Sequence, residues 1–282
     1  MPPLVVPPPA VPAEQALLAV DMQGYSRIPE ARMASVRSDL DLVLATVLAQ
    51  SGLEPPCLED RAFKDTGDGA IFVLPAREVA RVIDPLLGHL HSALTRYDHE
   101  RLAASPRLRL RVAVHVGPLS QPDHRGDAIN EVCRLLNSTH LRAALSAACD
   151  HNGFLAAAVS DPAYRRTVRA GRTPELAENR FLVTTARVEG KPDFAEPCHL
   201  YVPRLVPQLL APYLTTTTSP DATQAAERPI VSNPDSARPS SSASAPVAPP
   251  HGPAPTFQFN GEMRDTTVAQ DIGVLRIDRR GR

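Results

Sequence analysis

From about residue 14 to residue 205 the chain switches repeatedly between short apolar runs and longer stretches of helical period. ALLAVDM (16–22) is an apolar run suited to a buried strand, and SVRSDLDLVLATVLAQSG (35–52) carries apolar residues at helical spacing up to a glycine stop. A strand near Ala62–Asp65, the turn Thr66-Gly67-Asp68-Gly69 and a second strand AIFVLP (70–75) read as a hairpin. REVARVIDPLLGHLHSALTRYDHE (77–100) follows as a second helix, interrupted at Pro85 because proline cannot donate to the preceding turn. LRLRVAVHVG (108–117) alternates as a strand, and GDAINEVCRLLNSTHLRAAL (126–145) reads as one further helix with an apolar stripe. FLAAAVS, RFLVTTARVE and HLYVP supply later strands. The order strand, helix, hairpin, helix, strand, then helix and strands predicts the α+β class, a ferredoxin-like antiparallel sheet covered by helices.

The two ends read differently. Residues 1–13 are proline-rich and predict a disordered N-terminus, and residues 206–255, rich in Pro, Ser and Thr, lack any apolar period to offset their ordering entropy, which predicts a disordered linker. Residues 256–282 alternate again about Asn260-Gly261, as a short C-terminal β hairpin would; an isolated hairpin is marginal in water, so it is expected to dock on a protein partner or another surface.

Composition narrows the function classes. With 30 Lys+Arg against 31 Asp+Glu the chain has no net field to gather polyanions, so nucleic acid is not the expected partner. Cys57, Cys133, Cys149 and Cys198 are far apart with no CxxC pair, which argues against a disulfide framework or a Cys-type zinc site and for a reducing cytoplasm. No apolar run reaches the roughly 18–20 residues of a membrane span, and the start lacks a basic segment before an apolar one, so neither membrane insertion nor export is expected.

Several polar residues sit where polarity is costly. Asp21 ends an almost wholly apolar strand, and Asp68 lies in the turn between two apolar strands. Charges there call for a cation between them, and two hard oxygen ligands fit Mg²⁺ or Mn²⁺ completed by substrate phosphates; an Asp-Gly pair is also an ordinary hairpin turn. The chain writes arginine almost wherever it needs positive charge and has only two lysines, Lys64 and Lys191. Lys64, four residues before Asp68, offers a compact ammonium able to donate to a ring nitrogen or a phosphate oxygen. Asn130 and Arg134 are four apart on one helix face, where an amide and a guanidinium could hold a ribose oxygen and a phosphate. His115 reads as a core residue rather than a ligand, and His89 and His91 do not share a helix face.

Together AVDMQGYS, KDTGDGAIF, RVAVHVG and DHRGDAINEVCRLLNS, in this order and spacing, resemble the catalytic domain of class III adenylate/guanylate cyclases over about residues 15–203. The resemblance implies the class III nucleotidyl cyclase fold over 14–205, with Asp21 and Asp68 holding two divalent cations. It implies Lys64 and Asp123 as the purine-reading pair, where Lys with Asp suggests ATP. Asn130 would orient the ribose, and Arg134 would stabilise charge on the reacting phosphate. The implied activity is conversion of ATP to 3′,5′-cyclic AMP and pyrophosphate by a homodimer with its sites at the interface. Arg125 stands where the family usually has an aromatic residue, and the segment from Gly117 to Asn130 is short. Two alternatives therefore remain open: a cyclase-like signalling or interaction module of little activity, or a cyclase for another nucleoside triphosphate.

Overall fold

The computed structural model describes residues 10–54, 62–103 and 105–216. The chain divides into two units, 1–225 and 226–282; the second, with the β module expected over 256–282, lies outside the described residues, as do residues 1–9.

Seven strands form one sheet in the order β2-β3-β1-β4-β5-β7-β6. The first four are β1 (Glu14–Met22), β2 (Phe63–Asp65), β3 (Gly69–Pro75) and β4 (Leu110–Pro118), with β1 antiparallel to both β3 and β4. Helix α1 (Glu30–Gln50) joins β1 to β2, and α2 (Val79–Ile83) and α3 (Leu86–Glu100) join β3 to β4. This is the split βαβ arrangement of a ferredoxin-like core, as the sequence predicts. The chain continues through α4 (Asp127–Leu136) and α5 (Thr139–Asp150) to β5 (Leu155–Ser160), parallel to β4, then α6 (Asp161–Arg166) and the hairpin β6 (Leu182–Val188) and β7 (Lys191–Tyr201).

The unbroken apolar character of β1 follows from burial on both faces. Leu18, Val20 and Met22 enter a core shared with α1, α2 and α3, while Leu17 and Ala19 face a second core built with α4 and α5. The polar side chain of Asp21 continues the second series, because side chains alternate along a strand.

Three local features depart from the sequence reading. The helix expected over 126–145 is two helices, since Ser138 turns its hydroxyl back to accept from the Leu141 N–H at 3.3 Å and starts α5 afresh. The strand expected at HLYVP begins eight residues earlier, at Lys191, because the turn at Gly190 pairs it with β6. A helix α7 (Pro207–Thr216) opens the segment expected as linker; it packs on α5 with Leu210 and Leu214 buried, and Pro207 is tolerated at its first position. Among the described residues no helix is long and apolar enough to cross a membrane.

Candidate active site

Strand register brings the acidic residues together. Asp21 pairs with Gly69 on β3 and with Arg111 on β4. The Met22 N–H donates to the Asp68 carbonyl at 2.9 Å, fastening the hairpin turn to the end of β1. Gly69 permits this approach, since a Cβ there would lie 1.9 Å from the Val20 carbonyl oxygen. The two carboxyl groups meet: burial pushes the Asp68 carboxyl above its ordinary range, and the Asp21 charge and a hydrogen bond between the two side chains push the same way.

Two arginines that the sequence reading did not single out shape this corner. Arg111 Nε donates to Asp21 Oδ2 at 2.9 Å, and both side chains are only 13 % exposed. From α1, Arg37 donates to the Gly69 carbonyl at 2.7 Å and lies 3.0 Å from Asp41 and 3.4 Å from Asp65, anchoring the hairpin. The alternation of LRLRVAVHVG could have marked Arg111 as facing Asp21, but only once the β1 to β4 register is known.

Lys64 and Asp123, 59 residues apart, also come together: Lys64 Nζ donates to the Asp123 backbone carbonyl at 3.3 Å. Asp123 sits in a short loop closed by Ser120 N–H to Arg125 carbonyl at 2.8 Å and Arg125 N–H to Ser120 carbonyl at 3.2 Å. Buried His124, with φ 49°, lies 3.0 Å from Gln121 Nε2 through its own Nε2 and pins the loop from within. Arg125 Nε stands 3.6 Å from Asp123 Oδ2, so this arginine lies against the carboxylate it would influence.

Asn130 and Arg134 line one pocket of about 300 Å³, together with Lys191 and Arg142. The Arg134 guanidinium lies over the Phe194 ring at 5.5 Å from its centre, a cation–π contact that fixes its direction. Lys191 was missed as a site residue, although its signal was the one that marked Lys64: a lysine in a chain that otherwise uses arginine. Arg142 also lines a larger cavity, about 850 Å³, beside Gln23 and Arg111.

The six sequence-predicted positions thus fall into three pairs, Asp21 with Asp68, Lys64 with Asp123, and Asn130 with Arg134. Among the described residues no group of three or more His, Cys, Asp or Glu could hold a metal alone. The adjoining carboxylates of Asp21 and Asp68 still suit a hard divalent cation that draws its remaining oxygens from a bound phosphate. Cys133, Cys149 and Cys198 are free thiols.

No family model matches the chain, and no curated protein matches it. Solved structures are similar to it. The adenylate/guanylate cyclase/hydrolase from Silicibacter pomeroyi is 20% identical, with 70% of this chain and 100% of that one covered and a TM-score of 0.46. A bacterial light-regulated adenylyl cyclase is 15% identical, with 74% and 100% covered and a TM-score of 0.45. The catalytic core of a rhodopsin-guanylyl cyclase with converted specificity, in complex with ATPalphaS, is 13% identical, with 68% and 97% covered and a TM-score of 0.44. The chain is similar to catalytic domains of adenylate and guanylate cyclases.

Proposed function

We propose that the protein is a cytoplasmic nucleotidyl cyclase that converts ATP to 3′,5′-cyclic AMP and pyrophosphate as a homodimer. The observation that carries this reading is the meeting of the Asp21 and Asp68 carboxyl groups at the end of β1. The reaction is an in-line attack of the ribose 3′-oxygen on the α-phosphorus, in which positioning and charge stabilisation do most of the work. Asp21 and Asp68 would hold Mg²⁺ or Mn²⁺, which when bound supplies neutralisation of the triphosphate and a lower pKa for the attacking hydroxyl.

The remaining roles belong to the chain's own side chains. Lys64 and Asp123 form a donor and acceptor pair for the adenine edge. Asn130 orients the ribose, and Arg134, braced on Phe194, meets the charge that grows on the phosphate, with Lys191 as a second cation in the same pocket. The resemblance to class III cyclases is what supports a site completed by a second copy of the chain.

Purified full-length protein incubated with Mn²⁺ and each of the four nucleoside triphosphates, with products resolved by chromatography, tests the proposal. Cyclic AMP from ATP is expected, and absence of cyclic product from every triphosphate overturns it. A second reading, a cyclase-like interaction module, is favoured by the internal cations that already occupy Asp21 and Asp123, namely Arg111 and Arg125.

A further inference from the structure

Asp123 stands near the tip of a four-residue loop, 121–124, whose base is closed by the two backbone bonds between Ser120 and Arg125. Gly126 seats that base on the end of β4, since a Cβ there would lie 2.9 Å from the Pro118 carbonyl oxygen, and α4 with Asn130 begins one residue on. These backbone contacts fix the base and leave the tip to side chains. Of residues 121–125 only His124 is buried, 8 % exposed, so it is the residue that turns inward beneath the tip. It does so at φ 49°, in the left-handed region that a residue bearing a Cβ rarely adopts.

A second cost meets the first at this residue. The atom of Gln121 that faces His124 Nε2 at 3.0 Å is its amide nitrogen, a donor, which assigns Nε2 as the acceptor and puts the proton of the neutral ring on Nδ1. Nδ1 is buried without a hydrogen-bond partner. Left-handed backbone and an unpaired buried donor both subtract from stability, and a residue kept only to hold the fold is poorly chosen on both counts. We infer that His124 is a positioning residue for base choice: its ring, tethered by Gln121, sets where the Asp123 carboxylate stands. This role rests on the reading of Asp123 as an acceptor for the adenine edge. Lys64 holds the main chain of Asp123 from the other side, through its carbonyl at 3.3 Å, and His124 holds the turn from which the carboxylate projects. Without the ring the loop stays closed at its base while its tip takes several positions, only one of which meets a purine amino group.

Isothermal titration of the full-length protein, in Mn²⁺, with 3′-deoxy-ATP and 3′-deoxy-GTP, which lack the attacking hydroxyl, measures base preference apart from turnover; kcat and KM for ATP and GTP are measured beside it. His124→Gly removes the ring and accepts the left-handed backbone, and Gln121→Ala removes the donor from an exposed position where the fold is not at risk. Both should lower the preference for adenine by about fivefold, the net worth of one hydrogen bond, through KM rather than kcat. The thermal midpoint of Q121A should match the parent's. His124→Gln, whose amide oxygen can still accept from Gln121, should restore most of the preference. Added to Asp123→Asn, H124G should change the preference no further, because the ring acts through that carboxylate. An unaltered preference in H124G and Q121A, an equal loss of affinity for both bases, or a further loss on the D123N background overturns the inference. If D123N abolishes the preference while H124G and Q121A keep it, the reading of Asp123 stands and the role of His124 alone is refuted. A parent that binds neither nucleotide, or both alike, refutes the two together.

Discussion

Arg111 closes on Asp21 across the β1 to β4 register, its Nε 2.9 Å from Oδ2, so one of the two carboxylates at the candidate metal corner already has a cation of the chain's own. Asp68, on the other side of Asp21, depends on that same neighbourhood and is held above its ordinary range by burial and by the Asp21 charge. Of the two guanidiniums at the corner, Arg37 is engaged by Asp41, Asp65 and the Gly69 carbonyl, so Arg111 is the one that acts on the Asp21–Asp68 pair. Replacing Arg111 with Met leaves both acids facing each other, and the fold should lose about 3–5 kcal/mol, the range for breaking a buried ion pair. Urea unfolding checks this, and millimolar Mn²⁺ should return part of the loss by binding the native state only.

Asp68 gives a prediction of the opposite sign. A carboxyl whose folded pKa is raised above its unfolded value binds more protons when folded, so its ionisation subtracts stability as pH rises through that window. Asp68→Asn should therefore leave the metal-free protein as stable as the parent or more so at pH 7, while abolishing turnover and the thermal upshift caused by Mn²⁺. Differential scanning fluorimetry with and without the metal, beside the product assay, measures both.

Gly69 allows a purely steric test. A Cβ at this position would lie 1.9 Å from the Val20 carbonyl oxygen, which backbone cannot tolerate without parting β1 from β3. Gly69→Ala should cost about 2–4 kcal/mol, in the range of strong backbone and overpacking effects, and should separate Asp68 from Asp21. Gly67→Ala, where φ is 85° but a Cβ has open space, should cost only about 1 kcal/mol. Comparing their denaturation midpoints separates collision from conformational strain.

Acid should weaken the fold through His115. Its folded pKa of about 4 lies below the unfolded value of 6.5, so the unfolded chain takes up a proton first and stability falls as pH drops from about 6.5 toward 4. The share due to this residue reaches about 3 kcal/mol at the acid end. His115→Gln should flatten that part of the stability profile, which denaturation at half-unit pH steps would reveal.

Arg125 should act on base choice rather than on the fold. It is 82 % exposed and 3.6 Å from Asp123, a geometry worth little to stability. Arg125→Ala removes the guanidinium beside the Asp123 carboxylate, and the ratio of kcat/KM for ATP over GTP should rise by roughly two- to tenfold, the equivalent of about 0.4–1.4 kcal/mol. Unchanged selectivity would separate Arg125 from base recognition.

Much of the scaffold could be read from the chain because its signals are local. Strand runs such as ALLAVDM, the hairpin about Gly67-Asp68-Gly69 and the break at Pro85 depend on neighbours a few residues away, and the observed β1 to β4 arrangement follows them. Reading failed where a local signal was ambiguous. The stripe over 126–145 continued through Asn137-Ser138, where the Ser138 hydroxyl captures a backbone N–H and divides the helix; α7 is masked by its own prolines.

The sequence by itself determined which residues carry charge, which stretches are apolar, and that two lysines stand out among arginines, because these properties belong to residue type and spacing. The pairing of Asp21 with Asp68 and of Lys64 with Asp123 was implied by the resemblance; tertiary structure alone decided that Lys64 reaches the Asp123 backbone carbonyl and that Arg111 and Arg125 each lie against one of the predicted acids. Those contacts arise from strand register and loop closure, and the side chain that neutralises or isolates a buried charge is set by distance in space, which spacing along the chain does not encode.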